Sequence, residues 1–116
     1  LDNLPNGLIS LVLGWKFNFP VDNLPNSLRI LEFGCSFNQP VNNLPYQLND
    51  LKFGAMFNQN IDNLPDNIIN IKLYSKHFTY EIKKIPKNLK YIYLFLNLIQ
   101  RTKKVRNIPK EKVIFI

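Results

Sequence analysis

A leucine or isoleucine followed by proline returns along this chain at Leu4-Pro5, Leu24-Pro25, Leu44-Pro45, Leu64-Pro65, Ile85-Pro86 and Ile108-Pro109. Successive prolines are 20, 20, 20, 21 and 23 residues apart. This period constrains the fold more than any local propensity, because one unit of that length cannot bury its own apolar face. Units stacked on one another can. Other positions keep the same phase. Three residues after the first five prolines come Leu8, Leu28, Leu48, Ile68 and Leu89, then Leu11, Leu31, Leu51, Ile71 and Ile92, then Leu13, Phe33, Phe53, Leu73 and Leu94. A last unit near Val113 and Phe115 fits when one residue is deleted.

Apolar residues two apart point to one face of a strand. Each unit therefore predicts one short strand, and stacking predicts a parallel ladder with a spacing of about 4.8 Å. About a dozen residues remain to bring the chain back, too few for a long helix, so an irregular or 3₁₀ return is expected. Proline fixes φ and holds the preceding residue extended, which sets a corner there. The expected architecture is a repeat solenoid of about five coils ending in a capping strand at Val113 to Ile116. Residues 1–116 form a single domain in this reading, regular over 1–71 and degenerate and basic over 72–116. Leu1 falls partway through a repeat, so the chain is expected to be part of a longer one.

The fifth unit, Leu89-x-x-Ile92-x-Leu94-x-x-Asn97-x-Ile99, resembles the leucine-rich-repeat segment, in which the asparagine turns inward to satisfy backbone groups. The earlier units carry a second signature. They read Gly14-Trp15-Lys16-Phe17-Asn18-Phe19-Pro20, Gly34-Cys35-Ser36-Phe37-Asn38-Gln39-Pro40 and Gly54-Ala55-Met56-Phe57-Asn58-Gln59-Asn60, each followed by Val or Ile and then Asn-Leu-Pro. This resembles the FNIP repeat of amoebal and large-DNA-virus proteins. The resemblance covers roughly residues 1–71 and weakens where Tyr74 and Phe95 replace the glycine and Phe78-Thr79 replaces Phe-Asn. It implies a leucine-rich-repeat-like solenoid that often follows an F-box, hence the target-binding arm of a ubiquitin ligase. No F-box lies in these residues.

The signature residues also have structural work to do. Gly14, Gly34 and Gly54 follow the strand, where the chain turns and a side chain does not fit. Phe17, Phe37 and Phe57 are expected to stack in the core, and Asn18, Asn38 and Asn58 to form a vertical ladder that satisfies the backbone.

Chemistry-bearing groups are sparse. Cys35 is the only thiol and His77 the only imidazole, so neither a zinc cluster nor a catalytic triad has its parts. The glycines are too far apart for a phosphate-binding loop. No enzyme, metal site or cofactor is expected. A lone cysteine and the lack of Asn-x-Ser/Thr point to an intracellular, reducing setting. The most apolar run, Tyr91 to Ile99, is under half of the roughly 20 residues a membrane helix requires.

Two surfaces remain. Residues between the inward strand positions face outward, giving one row of Val12, Glu32, Lys52, Lys72 and Tyr93 and a second of Ser10, Ile30, Asp50, Asn70 and Tyr91. This face is read as the site for a protein partner, with Val12, Glu32, Lys52, Lys72, Tyr91 and Tyr93 as its contact residues. Against that stands the plainer reading of Glu32 and Lys52 as a cross-strand pair. The second surface is basic. Net charge is +7, yet the residues up to Ile71 carry three bases against six acids, and those from Lys72 carry twelve against two. Lys83, Lys84, Lys87, Lys90, Arg101, Lys103, Lys104, Arg106, Lys110 and Lys112 make either an anion-binding patch, for nucleic acid or anionic membranes, or a solvated cap that keeps the end of the stack soluble.

Overall fold

The computed structural model describes residues 1, 3–95 and 105–116. Its strands are β1 (Ser10–Val12), β2 (Ile30–Glu32), β3 (Asp50–Phe53), β4 (Asn70–Leu73), β5 (Tyr91–Leu94) and β6 (Val113–Phe115). They form one six-stranded sheet in the order β1-β2-β3-β4-β5-β6, every neighbouring pair parallel. Each turn of the chain thus adds one strand, which is a solenoid. The register follows the period: Leu11 pairs with Leu31, Leu31 with Leu51, Leu51 with Ile71 and Ile71 with Ile92. The capping strand joins in step, with Ile92 opposite Val113.

Among the described residues the return segments are turns, with a 3₁₀ segment at Lys110–Lys112. Their local cause is visible in the hydrogen bonds. The carbonyls of Pro5, Pro25, Pro45, Pro65 and Pro86 each accept the N–H three residues on, from Leu8, Leu28, Leu48, Ile68 and Leu89 at 3.1–3.3 Å. Proline fixes the corner, and the turn delivers the next apolar side chain inward.

The core is a set of columns. Leu28, Leu48 and Ile68 are fully buried, as are Phe37, Phe57 and Leu73. The phenylalanines stack from coil to coil: Phe17 on Phe37 at 6.2 Å, Phe37 on Phe57 at 6.1 Å and Phe57 on Phe78 at 6.3 Å between ring centroids. A shorter row, Phe33 on Phe53 at 5.6 Å, sits at the strand ends. Equivalent rings are thus 5.6 Å apart at the strand ends and above 6 Å in the returns.

The expected asparagine ladder is present. Asn18 Oδ1 accepts the Asn38 N–H at 2.8 Å, Asn38 Oδ1 that of Asn58 at 2.9 Å, and Asn58 Oδ1 that of Thr79 at 3.0 Å. Gly34 and Gly54 are needed for closeness and not for conformation, since none of the described residues has positive φ, whereas a Cβ on Gly14, where the sequence led us to expect no room, would meet nothing within 4 Å. A Cβ on Gly34 would stand 2.6 Å from the Gly14 carbonyl oxygen. The inward asparagine expected at position 97 lies outside the described residues.

Candidate functional site

The sheet face carries the two outward rows in register. Val12 pairs with Glu32, Glu32 with Lys52, Lys52 with Lys72 and Lys72 with Tyr93, while Ser10, Ile30, Asp50, Asn70 and Tyr91 follow one another in the second row. Between the rows, over a floor of Leu31 and Leu51, runs a groove of about 310 Å³ walled by Ile30, Glu32, Asp50, Lys52, Asn70 and Lys72. Its chemistry changes along the stack. Exposed Val12 and Ile30 make one end apolar, the middle is charged, and Tyr91 and Tyr93, 6.4 Å apart, make the far end aromatic.

The charged middle is not arranged as a set of ion pairs. Glu32 and Lys52 are strand neighbours, yet among the described residues the only salt bridge is Arg106 to Glu81 at 3.2 Å. The Lys52 ammonium lies instead over the Tyr74 ring at 5.3 Å, and that of Lys72 over Tyr93 at 5.8 Å. Lys76 repeats the contact over Phe95 at 6.0 Å, and Tyr74 meets Phe95 edge-on at 5.5 Å. A cation over a π face is held in place without being neutralised. Among the described residues none of these three lysines is in an ion pair. Asp50, by contrast, accepts a hydrogen bond from Asn70 at 2.9 Å. Lys76, Tyr74 and Phe95 were not read from the sequence as site residues. Their signal was the break in the repeat, where large aromatics take the place of glycine.

The described basic residues of the C-terminal part lie on more than one segment. Lys83, Lys84 and Lys87 are exposed on the return of the fifth coil, and Lys90 is exposed just before β5. Acidic side chains lie beneath their backbone: Asp62 Oδ1 accepts the N–H groups of Lys83 and Lys84 at 2.9 and 3.1 Å, and Asp66 Oδ1 that of Lys87 at 3.2 Å. Arg106 is held by Glu81, and Lys112 Nζ donates to the Leu89 carbonyl at 2.7 Å. Arg101, Lys103 and Lys104 lie outside the described residues. His77 is exposed and Cys35 half-buried. Among the described residues no His, Cys, Asp and Glu side chains gather into a metal-binding group, and no helix is long and apolar enough to cross a membrane.

The FNIP repeat family model matches residues 1–36 and 18–56, which carry Gly14, Gly34 and Gly54, the first two Phe-Asn pairs and the first three Leu-Pro corners. Residues 1–56 are FNIP repeats. The fourth coil lies beyond that match but keeps the register of the FNIP coils before it. No curated protein matches the sequence. Among solved structures the chain is similar to the crystal structure of CroV588, described as a novel circular LRR protein, with a TM-score of 0.84 and 34% identity over 97% of this chain. The chain spans 18% of that protein's length. The FNIP coils and those after them thus form an LRR-like solenoid along nearly the whole chain.

Proposed function

We propose that this chain is a protein-interaction module, not an enzyme, and that its outward sheet face holds an extended segment of a partner protein. The observation that carries the reading is the unneutralised pair Lys52 and Lys72, set beside Glu32 and Asp50 in one groove with an apolar and an aromatic end. Such a dipolar strip fits a polypeptide with an acidic side chain toward the lysines and a basic one toward Glu32 and Asp50. A polyanion of uniform charge fits it less well, because the two carboxylates repel phosphates. Solenoids use their concave faces in this way, keeping the core positions fixed while the outward rows vary. Val12, Glu32, Lys52, Lys72, Tyr91 and Tyr93 are the contact residues in this reading.

The most specific form of the proposal follows the FNIP resemblance: the module recognises substrates for an F-box ubiquitin ligase, inside a cell. Purifying the full-length protein with its partners tests that form. A ligase adaptor subunit is expected among them, and its absence would count against the ligase role while leaving the interaction face standing.

A pull-down from cell lysate tests the interaction face. The chain is compared with a Lys72→Glu/Tyr91→Ala/Tyr93→Ala variant at low and high salt. Proteins retained at high salt and lost with the variant are the expected result.

A second reading rests on the exposed Lys83, Lys84, Lys87 and Lys90, which make an anion-binding surface for nucleic acid or acidic membranes. It predicts nucleic acid or anionic lipid recovered at low salt only, and equally by both versions of the protein.

A further inference from the structure

Only one asparagine of this chain is followed by glycine: Asn6, before Gly7. The others precede side chains, among them Leu24, Leu44 and Leu64 after Asn23, Asn43 and Asn63. Asn6 and Gly7 are the two middle residues of the turn that the Leu8 N–H closes on the Pro5 carbonyl at 3.2 Å. Such a turn bonds its first residue to its last and leaves the amides between them without partners. Neither the Gly7 N–H nor the Asn6 side chain has a hydrogen-bond partner among the described residues. Both residues are exposed, and exposure belongs to the position, because the equivalent Asn26, Tyr46, Asp66 and Lys87 are exposed as well.

A second observation concerns space. A Cβ on Gly7 would meet nothing within 4 Å, and its φ is not positive, so neither packing nor conformation calls for glycine there. What glycine supplies is an amide nitrogen with no side chain beside it. The carboxamide carbon of Asn6, one residue back, can close on that nitrogen in a five-membered ring. Asparagines elsewhere are tied down. Asn18, Asn38 and Asn58 each accept an N–H one coil on at 2.8–3.0 Å, and Asn70 donates to Asp50 at 2.9 Å.

We infer that Asn6 is a self-modification site, converted without an enzyme to aspartate and isoaspartate. The Gly7 nitrogen gives its proton to solvent base and attacks Asn6 Cγ. The N–Cγ bond forms, the Cγ–Nδ2 bond breaks, and Nδ2 takes a proton from water and leaves as ammonia. The resulting succinimide adds one water. Opening at Cγ gives aspartate, and opening at the main-chain carbonyl gives isoaspartate, whose chain runs through Cβ and Cγ. Either product carries a carboxylate in place of a neutral amide. Isoaspartate also adds one CH₂ to the main chain between Pro5 and Leu8. That lengthening strains the corner, where Leu8 packs on the core, donates to Pro5 and accepts from Ser27 Oγ at 2.7 Å.

The test holds the full chain at physiological temperature over a series of pH values from neutral upward. Conversion at each asparagine is followed by peptide mapping and mass spectrometry that separates aspartate from isoaspartate. Asn26, at the same corner but followed by Ser27, is the internal reference. Asn6 is expected to convert at least about tenfold faster than Asn26, a barrier lower by about 1.4 kcal/mol. Its rate should rise with pH, because the attacking nitrogen must shed a proton, and isoaspartate should be among the products. Gly7→Ala, whose side chain has open space, should slow conversion of Asn6 by about tenfold. In the isoaspartate form the Leu8 amide should exchange its hydrogen faster than in the fresh chain. Conversion of Asn6 no faster than that of Asn26, no slowing by Gly7→Ala, or unchanged Leu8 exchange overturns the inference. Aspartate formed without isoaspartate overturns it too, since direct hydrolysis of the side-chain amide passes through no ring.

Discussion

The side-chain oxygen of Asn38 accepts the backbone N–H of Asn58 at 2.9 Å, one coil later and 20 residues on. The same oxygen takes a hydrogen from Gln59 Nε2 at 3.0 Å. The relation repeats from Asn18 to Asn38 and from Asn58 to Thr79, so one side-chain type satisfies the backbone where the sheet ladder has ended. Asn38→Ala leaves the Asn58 N–H without its acceptor and is expected to cost about 1–3 kcal/mol. Asn38→Asp keeps an acceptor oxygen and should cost less. Urea denaturation followed by circular dichroism measures both.

Coil spacing is set at the glycines. A Cβ on Gly54 would press on the Gly34 carbonyl oxygen, and that oxygen belongs to backbone that cannot swing aside. Gly54→Ala is expected to lower stability by about 1–3 kcal/mol, as overpacking does elsewhere. Gly7 has nothing within 4 Å of the same hypothetical Cβ, so Gly7→Ala should stay within about 0.5 kcal/mol of the parent. Equal effects at the two positions, in paired urea titrations, would show that the contact between coils is not what demands the glycine.

Phe57 is fully buried in the aromatic column, its ring centroid 3.8 Å from that of Phe53 and between Phe37 and Phe78 at 6.1 and 6.3 Å. Removing it opens a cavity that neighbouring coils cannot close without shifting. Phe57→Ala should cost about 3–5 kcal/mol. Trp15, 74% exposed, belongs to the same turn region of the first coil, and Trp15→Ala should change stability by about 0.5 kcal/mol or less. Thermal melts of the two variants separate a core column from a surface aromatic.

Ser75 is fully buried, and its hydroxyl has no hydrogen-bond partner among the described residues. Burying a hydroxyl without a partner costs free energy that alanine does not incur. Ser75→Ala is therefore expected to stabilise the protein by about 1 kcal/mol, read as a higher denaturation midpoint. A loss of stability of similar size would mean that the hydroxyl is satisfied after all.

Strand positions, register and inward columns were legible in the sequence because the 20-residue period ties each coil to the next. Once Leu11, Leu31 and Leu51 share a phase, the outward rows follow by alternation. The Phe and Asn ladders were legible for the same reason. The lattice of Lys52, Tyr74, Lys72, Tyr93, Lys76 and Phe95 was not. It forms where the repeat breaks, and the direction a long side chain takes there depends on neighbours one coil away. Glu32 and Lys52 show the converse: adjacency in register suggested a pair, yet the ammonium went to the ring of Tyr74. Arg106 and Glu81 lay beyond pattern reasoning, since the spacing had lengthened to 23 residues and the phase was lost.

The most direct test of the sheet face as the contact surface is site-specific photo-cross-linking in cell lysate. A cross-linking residue is placed singly at Val12, Lys52 and Tyr93 on the outward sheet rows, and at Asn23, Asn63 and Lys84 on the return segments. The account predicts one discrete protein adduct shared by the three sheet positions and absent from the other three. An adduct formed from Asn63 or Lys84 and missing from Lys52 and Tyr93 would contradict it, and would move the contact surface to the outer side of the coils.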